Sequence, residues 1–145
     1  MSVDYMGVYN HNLDSKNRLA VPAKFRDKLG SDFVVFKPLD EHFRCIFLYS
    51  SEGFDTFTER LTQDASGLVF NELQEAVFMN AYNVDMDGQG RFTLDSSFAE
   101  YAGLTKEVVV FGSGNKIELW SPEEFAKRKA RPISAPGFDF TKIQY

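Results

Sequence analysis

A chain of 145 residues fits one domain, or two very small ones that share a core. Apolar residues make up 43% of it and aromatics 15%, enough for a well-buried interior, yet no run approaches the roughly 20 apolar residues of a membrane-spanning helix. The net charge of −5 and pI near 5.0 weigh against a uniformly basic nucleic-acid binder, and a single cysteine excludes an intrachain disulfide.

In chain order, the opening "MSVDYMGVYN" carries an early Asp and lacks the apolar stretch of a secretory leader. Together with one cysteine, this sets the expectation of a soluble protein in a reducing, cytoplasmic compartment. A strand through Tyr9 leads into "DSKNR" (14–18), a tight turn in which Asn17 tolerates positive φ. Pro22 suits a first helical position and Gly30 a C-terminal cap, which predicts a two-turn helix over "PAKFRDKL". "FVVF" (33–36) and "CIFLY" (45–49) read as buried strands, and in the second run Cys45 is a buried, inert thiol. Leu73, Ala76, Val77 and Ala81 recur at helical spacing in "SGLVFNELQEAVFMNA" (66–81), which predicts a linking helix. "DGQGR" (87–91) is a second turn, and Asp95 caps a short helix that Gly103 stops. "VVVF" (108–111) is a strand and "GSGN" (112–115) a hairpin turn. "SPEEF" then opens a helix with Ser121 as cap and Pro122 in first position. From Pro132 onward there is no periodicity, as expected of a loose tail.

Two of these stretches are the same pattern. At an offset of 73, "YNHNLDSKNRLAVPAKFRDKLG" (9–30) faces "YNVDMDGQGRFTLDSSFAEYAG" (82–103), with identity at Tyr, Asn, Asp, Arg, Phe and Gly. Farther on, "DFVVF" (32–36) faces "EVVVF" (107–111), and "IFLYSSEGF" (46–54) faces "IELWSPEEF" (117–125). A unit near 45 residues buries too little surface to fold alone without a disulfide or metal. The copies are therefore expected to share one core, divided as repeat 1–60, linking helix 61–81, repeat 82–131 and tail 132–145. The expected fold is mostly β with short α-helices, a pseudo-twofold barrel with interleaved hairpins that leaves few open strand edges.

The copies differ in charge. Residues 14–28 hold five cations and two carboxylates, a surplus of three positive charges; residues 85–103 hold one cation and four carboxylates. A second basic cluster, Lys127, Arg128, Lys129 and Arg131, lies near the end. Arg18 can pin its turn through Asp14, or present a guanidinium to guanine O6 and N7. Lys16, Lys24, Arg26 and Lys28 suit phosphate contacts, which position a protein without reading sequence. Arg91, in the acidic copy, carries the more structural expectation.

The doubled Asp-x-x-x-Arg pattern, "DSKNRLAVPAKFR" and later "DGQGRFTLDSSFAEYAGLTKEV" with "IELW", resembles the MraZ family. That resemblance implies a swapped-hairpin barrel of AbrB type and a transcription regulator of the division and cell wall gene cluster. It also implies binding of double-stranded DNA at promoter direct repeats, self-association into a ring-shaped homo-oligomer, and association with the nucleoid. Asp14 and Arg18 correspond to the motif residues in the first copy, Asp87 and Arg91 in the second; Asn17 stands where the family has Gly.

Other chemistries find no support. "DMDGQG" (85–90) imitates the start of a calcium loop, but its twelfth position is Ser96 rather than Glu. His11 and His42 lack zinc-ligand spacing, the glycines around 112–114 lack a phosphate-loop Lys, and no Ser occupies a nucleophile elbow. No catalytic residue, metal, cofactor, small-molecule substrate or membrane partner is expected. The rival from another class is an oligomeric protein-interaction module of the same fold with weak or no DNA binding, which the acidic charge favours.

Overall fold

The computed structural model describes residues 3–64, 67–131 and 136–145. The chain runs β1 (Tyr5–Asn12), β2 (Arg18–Ala20), α1 (Ala23–Leu29), β3 (Asp32–Phe36), β4 (Ile46–Ser50), α2 (Ser51–Asp64) and α3 (Gly67–Met79). It continues with β5 (Ala81–Asp85), β6 (Arg91–Thr93), α4 (Ser96–Tyr101), β7 (Glu107–Gly114), β8 (Ile117–Trp120) and α5 (Pro122–Ala130). A single 3-10 turn, Phe140–Lys142, lies in the tail, whose first four residues (132–135) are outside the described ones.

Six strands form one antiparallel sheet in the order β1-β7-β8-β4-β3-β5, and β2 pairs with β6 in a separate ribbon. The order is a palindrome of the repeat. In the alignment of the two copies β1 corresponds to β5, and β7 and β8 to β3 and β4. Each first strand leaves its own copy: β1 pairs with β7, and β5 with β3. At the centre Phe47 faces Glu118, its counterpart in "IELW", and in the ribbon Leu19 faces its counterpart Phe92. A pseudo-twofold axis passes through both pairs.

Alternation along the strands explains the unbroken apolar runs, because the sheet is covered on both faces. Phe33, Val35, Ile46, Leu48, Val108, Val110, Ile117 and Leu119 face inward onto the ribbon, α1 and α4, in a cluster with Leu19, Phe25, Phe92 and Leu94 from both copies. Val34, Phe36 and Tyr49 face outward beneath α2 and α3, and Val109 and Trp120 beneath α5. Tyr9 meets Phe25 edge-on at 5.3 Å, and the corresponding Tyr82 and Phe98 do the same at 5.0 Å.

Pro22 precedes α1 as its cap at ψ 134° rather than opening the helix, and β7 runs on through Gly114 so that the hairpin turns at 115–116, but the other expected caps form. The Asp95 carboxylate accepts from the Ser97 N–H at 3.1 Å, the Ser121 hydroxyl accepts from the Glu124 N–H at 3.1 Å, and Gly30 closes α1 at φ 83°. The expectation of a mostly β chain is corrected to a mixed one, a mainly antiparallel sheet with helices. "SEGFDTFTERLTQD" becomes a full helix, α2, with Phe54, Phe57 and Leu61 on the face turned to the sheet, and Tyr49 stacks on Phe57 at 5.5 Å. The linking helix ends at Met79, where the Asn80 side chain donates to the Ala76 carbonyl at 2.7 Å. Ala81 is not helical; it opposes Phe36 at the start of β5. Among the described residues the strand ladders do not close into a barrel: β1 and β5 are the edges of the sheet, and the ribbon forms its own sheet.

Candidate nucleic-acid interface

Each turn is built by its aspartate. The Asp14 carbonyl accepts from the Asn17 N–H at 3.0 Å, and its N–H donates to the Arg18 carbonyl at 3.0 Å. Its carboxylate Oδ1 accepts from the backbone N–H groups of Lys16 (2.9 Å) and Arg18 (2.8 Å), and Oδ2 accepts from Arg18 Nε at 2.6 Å. The second turn repeats each bond. Asp87 Oδ1 accepts from Gln89 N–H at 2.8 Å and Arg91 N–H at 2.9 Å, and Oδ2 accepts from Arg91 Nε at 3.0 Å. Asn17 and Gly90 hold the left-handed positions at φ 57° and 75°.

Hydrogen bonds to the ionised carboxyl hold Asp14 down at about 2, the backbone N–H of Arg18 contributing most and the Arg18 guanidinium less. Asp87 is lowered in the same way, first by the Arg91 backbone N–H. Both carboxylates are charged at neutral pH, and each consumes the inner edge of its guanidinium at Nε, leaving the outer edge for another acceptor.

The ribbon brings the two arginines together. Arg18 opposes Thr93 and Arg91 opposes Ala20, so the arginines are diagonal neighbours about 7–8 Å apart. Leu19 and Phe92 point into the core, 1% and 2% exposed, so the period of two places Arg18 and Arg91 on the opposite, outward face. Two further bonds tie each tip to the far end of the other copy's strand: Val21 N–H donates to the Gly90 carbonyl at 2.9 Å, and Leu94 N–H to the Asn17 carbonyl at 2.8 Å. His11 Nδ1 lies 2.6 Å from the Ala20 carbonyl and ties β1 to the ribbon.

The remaining basic residues separate into three environments. Lys16, in the first turn, and Lys24, on α1, are exposed. Arg26 Nε donates to the Val21 carbonyl at 2.8 Å, and its guanidinium occupies the space a Cβ on Gly90 would need, so it braces the second tip. Lys28 pairs with Asp4 at 3.7 Å and lines a cleft with Ser50, Glu52, Arg60 and Asn115, a group containing no residue of either turn. The Arg26–Gly90 contact and the juxtaposition of Arg18 with Arg91 are not visible in the sequence, because both depend on which strand β2 pairs with. Among the described residues no helix is long and apolar enough to cross a membrane, and no group of three His, Cys, Asp or Glu could hold a metal.

Comparison with known proteins agrees with the doubled architecture. A family model described as "MraZ protein, putative antitoxin-like" matches residues 5–70 and again 77–141. A protein of Lachnoclostridium phytofermentans named "Transcriptional regulator MraZ" is 39% identical over 121 residues, covering 83% of this chain and 84% of that one. Proteins of the same name from Finegoldia magna and Halothermothrix orenii are 36% and 38% identical over 122 residues, covering 83% of both chains in each comparison.

Proposed function

Because the chain belongs to the MraZ family, we propose that it is a transcriptional regulator, not an enzyme, that binds double-stranded DNA sequence-specifically through the β2–β6 ribbon. The observation that carries this reading is the pair of arginines on one outward face of a two-stranded ribbon, each held by its own aspartate with one guanidinium edge free. A two-stranded ribbon fits the major groove, and an oriented guanidinium is the best match to guanine O6 and N7. Arg18 and Arg91 read bases, Asp14 and Asp87 orient them, and Lys16 and Lys24 meet phosphates. Arg26 reaches the backbone from behind the second tip, while Lys28 contributes only long-range attraction. The charge surplus of the first copy makes Arg18 the stronger contact.

On the same reading the targets are direct repeats in the promoter of the division and cell wall cluster, bound in the cytoplasm at the nucleoid, with autoregulation. The chain divides as repeats 1–60 and 82–131, a connection 61–81 and a tail 132–145, and the exchanged β1–β7 and β3–β5 pairings support a swapped-hairpin relation to AbrB-type folds without a closed barrel. Assembly into a ring is supported by unpaired apolar surface at opposite edges of the sheet. Met6 and Val8 on β1 are 69% and 52% exposed at one edge, and Leu68 and Met79 on α3, which packs toward β5, are 79% and 77% exposed. Unlike patches on one subunit generate head-to-tail contacts, which close into rings when the rotation allows.

The test is an electrophoretic shift with the DNA upstream of the protein's own gene, repeated across salt concentrations. A steep loss of affinity with salt is expected from counterion release. Arg18→Ala should cost roughly 1–3 kcal/mol per engaged tip and relax base preference, and Arg91→Ala somewhat less. Absence of a shift at low salt from a folded oligomer would favour the protein-interaction module that the −5 charge allows.

A further inference from the structure

The second basic cluster of the sequence converges on a small cleft far from the ribbon. His42, Trp120, Glu124, Lys127, Arg128 and Arg131 line it, with a volume of about 130 Å³. Trp120 alternates with Leu119 on β8, so it lies on the outer face of the sheet, under Phe125 of α5 at 6.2 Å. The ribbon packs on the inner face. The cleft therefore opens on the side of the sheet opposite the two arginine tips.

Three cations and a histidine surround one carboxylate, Glu124, and that carboxylate is already engaged by Lys127 Nζ at 3.3 Å. Arg128 lies over the Phe43 ring, 5.4 Å from its centroid, which fixes the guanidinium plane. Its Nε is buried, and it stands alone among the described residues as a buried side-chain nitrogen or oxygen without a hydrogen-bond partner. Basic residues in the last turn of α5 also complement the carbonyl end of the helix. Dipole complementarity is satisfied by exposed side chains, however, and gives no reason to bury a donor unpaired. A guanidinium held over an aromatic ring, with Lys127, Arg131 and His42 beside it, the one lining carboxylate paired to Lys127 and the nearby Glu118 carboxylate accepting from Trp120 Nε1 at 2.9 Å, is a receptor for an oxyanion.

We propose that this cleft binds a small phosphate-class oxyanion, held by Arg128 with Arg131 and His42 at its rim. The volume admits one such group with a few waters, a water taking about 30 Å³ of liquid. A phosphate of the duplex held at the tips lies across the sheet from it, so the ligand is free phosphate or a small phosphorylated molecule rather than bound DNA. The site would let the regulator sense a metabolite on a face distinct from its DNA contact.

Trp120 lines the cleft and is the sole tryptophan of the chain, so its fluorescence reports occupancy directly. Inorganic phosphate, titrated into the full-length protein at constant ionic strength, should change Trp120 emission saturably with a midpoint on the order of 1 mM. Sodium chloride at equal ionic strength should not. Arg128→Gln should weaken the midpoint about tenfold or more. Arg131→Gln, at an exposed position, should weaken it while leaving the melting temperature unchanged, and it decides the matter if Arg128→Gln does not fold. Absence of a saturable change, or an unchanged midpoint in folded Arg131→Gln and Arg128→Gln, overturns the proposal. So does an Arg131→Gln protein whose defect appears only in DNA affinity, because the cationic cleft would then serve the duplex.

Discussion

The two tips are not interchangeable, and the reason is a swap in size across the pseudo-twofold axis. Gly90 in the second turn lies against Arg26 from the first copy. By the 73-residue offset the first turn has Asn17 in place of Gly90, and the position matching Arg26 is Ala99. Converting Gly90 to Asn should therefore be costly only while Arg26 is present. The backbone at φ 75° accepts Asn for a few tenths to about 1 kcal/mol. The new Cβ displaces the Arg26 guanidinium and with it the 2.8 Å bond from Nε to the Val21 carbonyl, worth about 1 kcal/mol. The single variant should lose about 1–2 kcal/mol, and Arg26→Ala alone about 1 kcal/mol. In the double variant the Asn should cost only its backbone share, a coupling of about 1 kcal/mol. Urea unfolding of the four proteins at one protein concentration measures this cycle. Equal costs for Gly90→Asn with and without Arg26 would show that Arg26 does not brace the second tip.

Phe92→Ala removes the ring that opposes Leu19 on the axis and meets Phe33 edge-on at 5.2 Å; denaturant unfolding should show a loss of about 3–5 kcal/mol. Acid should loosen the tips in a defined window. Asp14 and Asp87 both have folded pKa values below the ordinary 3.8, so their contribution is complete above that value and lost as pH falls through the folded pKa, about 2 for Asp14. An Asp14→Asn/Asp87→Asn protein followed by circular dichroism should accordingly show a flatter acid limb than the native one. Cys45 is fully buried and its thiol is pushed well up, first by burial and then by the Glu118 charge, so a thiol reagent should label it only as fast as the protein unfolds.

Local chemistry was readable from the residues wherever one or two side chains decide the backbone. The Asp14 and Asp87 turns, the Asp95 and Ser121 caps, the stop at Gly30 and the buried strands around Val34 and Val109 all follow from neighbours within a few positions. The duplication was readable too, and with it the need for a shared core, since both depend on pattern and size alone. The length of α2 escaped because Phe54, Phe57 and Leu61 are diluted by charged and hydroxylated neighbours, and their helical face becomes apolar only against Phe36 and Tyr49. The exchange of β1 and β5 between copies, the meeting of Arg18 with Arg91, and the bracing of Gly90 by Arg26 were decided only by tertiary structure. A strand carries unsatisfied hydrogen-bond groups on both edges and no label for its partner. Burying Leu19 against Phe92, and Phe47 beside Glu118, selects the β2–β6 and β4–β8 pairings that join the two halves together with the exchanged β1 and β5, and that choice turns two weak copies of a motif into one two-armed ribbon.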